Sequence, residues 1–547
     1  MSTSFIFNNK QITLPGVYSR ITTSETSPAR TLDYSKAIIV DTGVYGANWC
    51  GGSGVAGENY QNLDAVYRFD TLAEFRSFVK GGMYWKIAEA LFTPDYSNPA
   101  SAGISQLLFV RAAQTAAATI TFATTAGGMF EVKTLDEGKG ANGTLSEAGN
   151  LITGYGVSIV AGEDDPEKWI MKFYVGSFTG YAEDGYPIGE TPEDQAAPTL
   201  VLQSPEFNNI QTLIDWAKSD SNFANLFVLT SKAKKEGEGT VAENDVATAL
   251  AGKNFVLAKG GTETYNADYM AQALAAITGL DYSFALTDQF EQNADSALQK
   301  QYIAHMNSQA KYTHFLFVGG YADAANFSKS LDLAKGFNSE LVQLVHGGVG
   351  MTSGITGVKT RWWGVMYNLC CILGRTAGKP PYIPVTNKTI GIDKLQHTLS
   401  EVEKTKALDA GMLVTVYNDY TNNFVVLQGV NTLQDNKVLF NSNGQSHSIQ
   451  FMRIVAQINK ELVVNASIDL LGQENGVNVN TLFAGAVKDW TVAYLQSRVA
   501  TEAQDNLLLS FKDVVVTRQE DAWFVTYKIV VNNEINKLFF TGFLIRG

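Results

Sequence analysis

The chain has 547 residues, 45% of them apolar and 17% charged, with a formal net charge of −13. Such a chain buries substantial cores in several domains, and its acidic balance without a basic run argues against direct nucleic-acid binding. Three cysteines, two of them adjacent as Cys370 and Cys371, exclude a disulfide framework and fit buried thiols in a reducing compartment.

Residues 1–33 have few large apolar side chains, and Leu14, Pro15, Gly16, Val17 and Tyr18 read as an extended strand with no core of its own, an N-terminal arm. The opening residues show neither a basic nor an apolar signal-peptide region, and no apolar run approaches the ~20 residues of a membrane span, so no membrane insertion is expected. Residues 34–114 predict the first part of an α/β domain: a buried strand at 34–42, a glycine-rich loop, a helix near 71–79 and a strand at 106–111. From 115 to 199 short alternating runs at 118–122, 128–133, 156–160 and 169–175 predict an inserted β-rich outer domain.

Residues 200–380 return to strands and helices in turn, with helices at 207–219, 267–277 and 295–310 and strands at 225–229, 254–257, 282–286 and 313–318. This implies the second part of the α/β domain and a sheet covered on both faces. Residues 381–516 predict a C-terminal inner α+β assembly domain, with helices at 395–409 and from 448 onward and strands at 412–417 and 424–428. A further helix at 480–499 sets Phe483, Val487, Trp490 and Tyr494 on one face, to be buried against its own sheet or turned toward a partner. Residues 517–547 read as a C-terminal β-arm: Trp523, Val525, Tyr527 and Ile529 recur at period two, and a second run at 538–545 predicts a hairpin. Arms of this kind either pack on their own body or complete a neighbour's sheet.

The residue patterns of catalysis are absent from the sequence. None of the five histidines sits in an HExxH or CxxC arrangement, so no metal site is expected, and His346 reads as a hydrogen-bonded structural histidine. The loop Gly51-Gly-Ser-Gly54 lacks the Lys-Ser/Thr that completes a phosphate cradle, and there is no G-x-S-x-G elbow. The expectation is a protein that is no enzyme and carries no cofactor. Arg361, Trp362 and Trp363 form the one dense cation-aromatic cluster, either a binding patch or an interdomain anchor.

Several phrases, in order, resemble the contractile phage tail sheath family. These are Pro15-Gly-Val-Tyr18, Ile38-Ile-Val40 with Gly43, Phe75 to Gly82, Leu108-Phe-Val-Arg111, Gly138 to Gly143, Phe255 to Gly261 followed by Asn266 to Tyr269, Asn431-Thr-Leu433, and Ser448 to Arg453. Ala141 stands where glycine is usual, and at Asn431 and near Arg453 an arginine of the family pattern is missing. The resemblance implies an α/β and α+β multidomain fold: a sheath-like C-terminal α+β domain with exchanged terminal β-arms, an α/β middle domain and the inserted β-rich domain. It also implies hexameric rings stacked around an inner tail tube, contracting to drive the tube through a host envelope. The partners would be neighbouring copies of this chain, the inner tail tube protein, and baseplate and tail terminator proteins, in a virion tail sheath assembled in host cytoplasm. The donor strands would lie near 13–21 and 522–531, on a sheet that includes 511–516. Alternatives are the sheath of a bacterial contractile injection system, another virion shell subunit, or a carbohydrate-binding or carbohydrate-cleaving surface protein.

Overall fold

The computed structural model describes residues 5–7, 10–12, 33–41, 66–123, 129–176, 198–232, 255–287, 297–352, 360–434, 445–470 and 484–532, with short breaks. In chain order, β1 (Phe5–Phe7) and β2 (Lys10–Ile12) form a hairpin, followed by β3 (Lys36–Asp41), β4 (Val66–Phe69), α1 (Leu72–Phe78), α2 (Met83–Phe92) and β5 (Gln106–Arg111). Then come β6 (Ala113–Ala123), β7 (Met129–Glu137), β8 (Thr144–Leu145), β9 (Leu151–Thr153), β10 (Tyr155–Ala161), β11 (Trp169–Val175) and β12 (Thr199–Gln203). Helices α3 (Ile210–Ser219) and α4 (Ser221–Ala224) precede β13 (Phe227–Lys232), β14 (Val256–Leu257) and β15 (Thr262–Tyr265). The chain continues through α5 (Ala267–Ala276), β16 (Phe284–Thr287), α6 (Ala297–Ser308), β17 (Phe315–Gly319), α7 (Phe327–Phe337), β18 (Val342–His346), β19 (Val349–Thr352) and β20 (Thr360–Trp362). Next are α8 (Gly364–Ala377), β21 (Lys394–Leu395), α9 (Glu401–Asp409), β22 (Met412–Asn418) and β23 (Asn423–Val426). The last elements are α10 (Ile449–Asp469), α11 (Ala484–Gln496), β24 (Leu508–Gln519) and β25 (Ala522–Val531).

Eight strands make the main sheet, in the order β23-β22-β18-β17-β16-β3-β5-β4. The strands from β22 to β5 run parallel, and the edge strands β23 and β4 are antiparallel. The apolar runs 37–40, 107–110 and 315–318 are buried throughout, as a sheet covered on both faces requires. Helix α8 is buried along its whole length and packs on α2, where a Cβ at Gly374 would lie 2.6 Å from the Leu91 carbonyl oxygen. Only glycine permits that approach. The sequence predicts no helix between Gly81 and β5; α2 occupies that stretch because its Ile87, Ala88, Ala90 and Leu91 find a partner face on α8, far away in the chain.

Two expected boundaries move. The inserted unit does not end at 199: β12 pairs with β11, β14 with β10, β13 with β7 and β15 with β6, so its sheets close only at Tyr265. Its core joins Phe173 on β11 and Val132 on β7 to Leu213, Ile214, Ala217, Phe223 and Phe227, all beyond that boundary. The α/β texture of 207–229 is thus the closing layer of the insertion, because the insertion's edge strands need these partners. The boundary at 381 also moves, since β22 and β23 complete the main sheet, residues 399–414 pack with α7 and β18, and α10, α11, β24 and β25 share a core of their own.

Two phrases that carry the sequence resemblance meet inside the insertion. The Asn142 amide nitrogen donates to the Gly261 carbonyl and the Gly261 N–H donates to the Asn142 carbonyl oxygen, both at 2.8 Å. Gly260 turns the chain with φ at +87°, and a Cβ on Gly261 would lie 2.3 Å from the Gly138 carbonyl oxygen. The clamp guides one stretch of chain out of the sheet of β10 and into the sheet of β6. Asn142→Ala should lower stability by about 1–3 kcal/mol, the cost of leaving partly buried backbone groups unmatched, read as a fall in the urea midpoint. An unchanged midpoint would show that the clamp contributes nothing.

Candidate functional site

The segment from α10 onward is where both ends of the chain converge, and α10 is its beam. Ile449, Met452 and Ala456 join the core of the main sheet, while Phe451, Ile454, Val455, Ile458 and Leu462 join a second core. The second core also takes Tyr494 and Leu495 from α11, Leu508 and Val514 from β24, and Ile529 and Val531 from β25. A helix apolar on two faces is held between two packed layers.

A charged pair breaks this apolar pattern at Lys460 and Glu461. Glu461 is wholly buried and accepts from Tyr34 Oη at 2.8 Å and from Gln457 Nε2, Tyr494 Oη and Arg498 Nε at 2.9 Å each. Burial and the Glu461 charge push both tyrosine hydroxyls far above their ordinary range, so each keeps its proton and donates. Lys460 pairs with Asp281 and donates to the Asp33 carbonyl oxygen at 2.9 Å, while Lys36 reaches Asp281 at 2.8 Å. Burial alone would raise the Asp281 carboxyl, but the two lysines bring it below the usual carboxylate range. Arg453 donates to the Lys379 carbonyl oxygen at 2.7 Å and lies 5.5 Å from the Phe284 ring centre, with no carboxylate partner among the described residues. Burial lowers its pKa to about 9, so it stays cationic at neutral pH.

These contacts fix Asp33 and Tyr34, the point where residues 1–32 enter the body, on the unit from which residues 533–547 depart. At that far end the Asn532 N–H donates to the Leu507 carbonyl at 2.9 Å. β24 and β25 form a two-stranded antiparallel sheet with Ile529 opposite Phe511 and Trp523 opposite Arg518. Among the described residues no third strand joins it, and Leu509 and Val515 are exposed. The β24 edge is bridged at Leu508 by Val499, and a two-stranded ribbon is marginal alone.

The expected site residues are distributed as follows. Leu14, Pro15, Gly16, Val17 and Tyr18 lie outside the described residues, as do Phe483 and the run 538–545. The strand carrying Trp523, Val525, Tyr527 and Ile529 pairs with β24 of its own chain, so the boundary at 517 falls inside a hairpin. Ile529 is buried, and Val525 and Tyr527 pack at the edge of the second core. Val487 and Tyr494 are buried on α11, and Trp490 stacks on Tyr494 at 5.8 Å and donates to Asp469 at 3.0 Å. The cation-aromatic cluster is split: Trp363 is buried beside Tyr367, Trp362 is exposed, and Arg361 sits on β20 opposite Met351. The sequence reading missed the Glu461 junction, although an acid-base pair inside an apolar helical run was a visible signal. Among the described residues no cluster of His, Cys, Asp and Glu could hold a metal, and no helix is long and apolar enough to cross a membrane.

No protein-family model and no curated protein matches the chain. Solved structures do. The sheath tail protein of Desulfitobacterium hafniense is 13% identical with a TM-score of 0.54, over 94% of this chain and 99% of its own. The fold is that of a tail sheath protein. The sheath tail protein of Listeria innocua is 12% identical over 92% of this chain and 96% of its own, with a TM-score of 0.47. The helical sheath of the anti-feeding prophage in its contracted state is 8% identical over 97% of this chain and 99% of its own, with a TM-score of 0.43.

Within the sheath fold the Glu461 junction can be tested directly. Glu461→Ala removes the acceptor of the Arg498 guanidinium, the Gln457 amide and two buried hydroxyls, so unfolding in urea should show a loss of about 3–5 kcal/mol. Tyr34→Phe removes one charged hydrogen bond and should cost about 1.5–3 kcal/mol. Equal losses from the two variants would mean that Glu461 is no hub.

Proposed function

We propose that this chain is the structural subunit of a contractile tail sheath, polymerising as stacked rings around an inner tube and contracting to drive that tube through a host envelope. The observation that carries the reading is a sheath protein's fold shared over 94% of the chain. Its partners in this reading are copies of itself, the inner tube protein, and baseplate and tail terminator proteins. The protein works by changing its packing and needs no catalytic centre.

The linking device is strand addition to the β24–β25 ribbon. Residues 1–32 and 533–547 both adjoin the unit that holds this ribbon, to which, among the described residues, no third strand is added beyond the single bridge between Val499 and Leu508. In the proposed assembly those segments come from neighbouring copies, so main-chain hydrogen bonds tie subunits together while the rigid bodies reorient. The ribbon is a good acceptor because Ile529 and Val531 anchor one face of it in the second core.

Negative-stain electron microscopy of the full chain and of a chain lacking residues 1–32 and 533–547, each with the inner tube protein, tests this. The cuts spare β25, whose loss would unfold the second core. Hollow cylinders from the full chain and single subunits from the shortened one are expected. Single subunits from both would overturn the sheath function.

A further inference from the structure

At the carboxyl end of β18 a chain of side-chain hydrogen bonds runs from the buried end of α7 toward the surface at α9. Ser330 Oγ lies 2.9 Å from His346 Nδ1, His346 Nε2 lies 2.9 Å from His397 Nδ1, and His397 Nε2 lies 3.5 Å from Glu403 Oε1. The Tyr321 N–H donates to Ser330 Oγ at 2.9 Å, and the Phe327 ring meets both imidazoles edge-on. Ser330, His346 and His397 are buried.

The direction of every bond in this chain follows from one charge. Glu403 closes the capping box of α9, accepting from the Ser400 N–H at 2.9 Å and the Ser400 hydroxyl at 2.7 Å. Those bonds hold its carboxyl below the usual range, so it is an acceptor only. His397 therefore carries its proton on Nε2 and accepts at Nδ1, His346 donates from Nε2 and accepts at Nδ1, and Ser330 donates its hydroxyl proton to His346 while accepting from Tyr321.

Two neutral imidazoles satisfy this chain completely, and one more proton breaks it. On His397 the proton can go only to Nδ1, where it would face the N–H of His346 or drive that ring's proton to its own Nδ1, against Ser330. On His346 it can go only to Nδ1, where Ser330 would accept two N–H groups and its own hydroxyl proton would lose its acceptor. We propose that Ser330, His346, His397 and Glu403 form an acid-sensitive latch, closed at neutral pH, that fixes the first turn of α9 and the loop before it to the end of the main sheet and opens on acidification.

At His346 the charged groups around the latch do not offset burial. Burial, then the neighbouring His397, lowers the His346 pKa from its ordinary 6.5 to about 4, against the weaker pull of Asp323 and Glu403. Lys329, one of two lysines on α7, lies 5.2 Å from the Tyr321 ring centre and adds no negative charge. Because the closed pKa is depressed, an opened state binds the proton more readily between pH 6.5 and about 4. The latch is at full strength above that window and weakens as the pH falls through it.

Amide hydrogen exchange of the full chain, at neutral pH and at about pH 5, tests this. After correction for intrinsic rates, exchange at Tyr321 and at the first turn of α9 should rise at least about tenfold at the lower pH. His397→Gln should abolish that difference, and a variant that keeps it would overturn the latch. If the variant fails to fold, histidine-selective nitrogen-15 spectra of the unmodified protein decide. Both rings as Nε2–H tautomers, with titration of His346 held well below the ordinary histidine range, support the latch. An Nδ1–H tautomer on His346, or its ordinary titration, would overturn it.

Discussion

A carboxylate with no access to water must be surrounded by donors, and in this protein that requirement falls on Glu461. Its partners come from three places: Gln457 on the same helix, Tyr494 and Arg498 at α11, and Tyr34 at the entry to β3. Apart from the Gln457 bond within α10, none of these is complete until the entry to β3, α10 and the end of α11 have come together. One buried charge therefore ties the entry to β3, α10 and the end of α11 together, beside the apolar core that holds β24 and β25.

The placement of that charge explains the division of labour across the chain. The main sheet and the insertion have large apolar cores, whose packing admits few alternatives. The junction between the main sheet and the C-terminal unit mixes a narrow apolar seam at Ile449, Met452 and Ala456 with directional polar contacts from Arg453, Lys460 and Glu461. Directional contacts define a unique arrangement where an apolar seam alone would tolerate sliding. Both terminal segments leave from this well-defined unit, which suits a subunit whose proposed links to its neighbours lie in those segments.

Polar clusters elsewhere obey the same logic on a smaller scale. Asn142 substitutes its side-chain amide for a missing strand partner of Gly261, and the pair of buried histidines closes a hydrogen-bond chain that begins at a surface carboxylate. Each places a polar group where the backbone or the loop before a helix would otherwise be left without a partner. Phrases such as Gly138 to Gly143 and Phe255 to Gly261 are thus recognisable in sequence because a close backbone approach demands those residues.

Local pattern was enough to read most elements, including the strand Gln106–Arg111, the β-rich texture of the insertion and the amphipathic face of α11, because burial on one face imposes periodicity on the sequence. The ordered phrases were enough to point to the sheath fold. What sequence could not decide was pairing. The helix and strand that close the insertion are locally indistinguishable from another unit of the main sheet, β22 and β23 look like the start of a new domain, and β25 has the same alternation whether it pairs ahead or behind. The charged pair on α10 could be seen in the sequence but its partners could not, since Tyr34 lies 427 positions from Glu461 and only folding brings them together. Periodicity is a property of a segment, while a partner is a property of the whole chain, and that is where the tertiary structure decided.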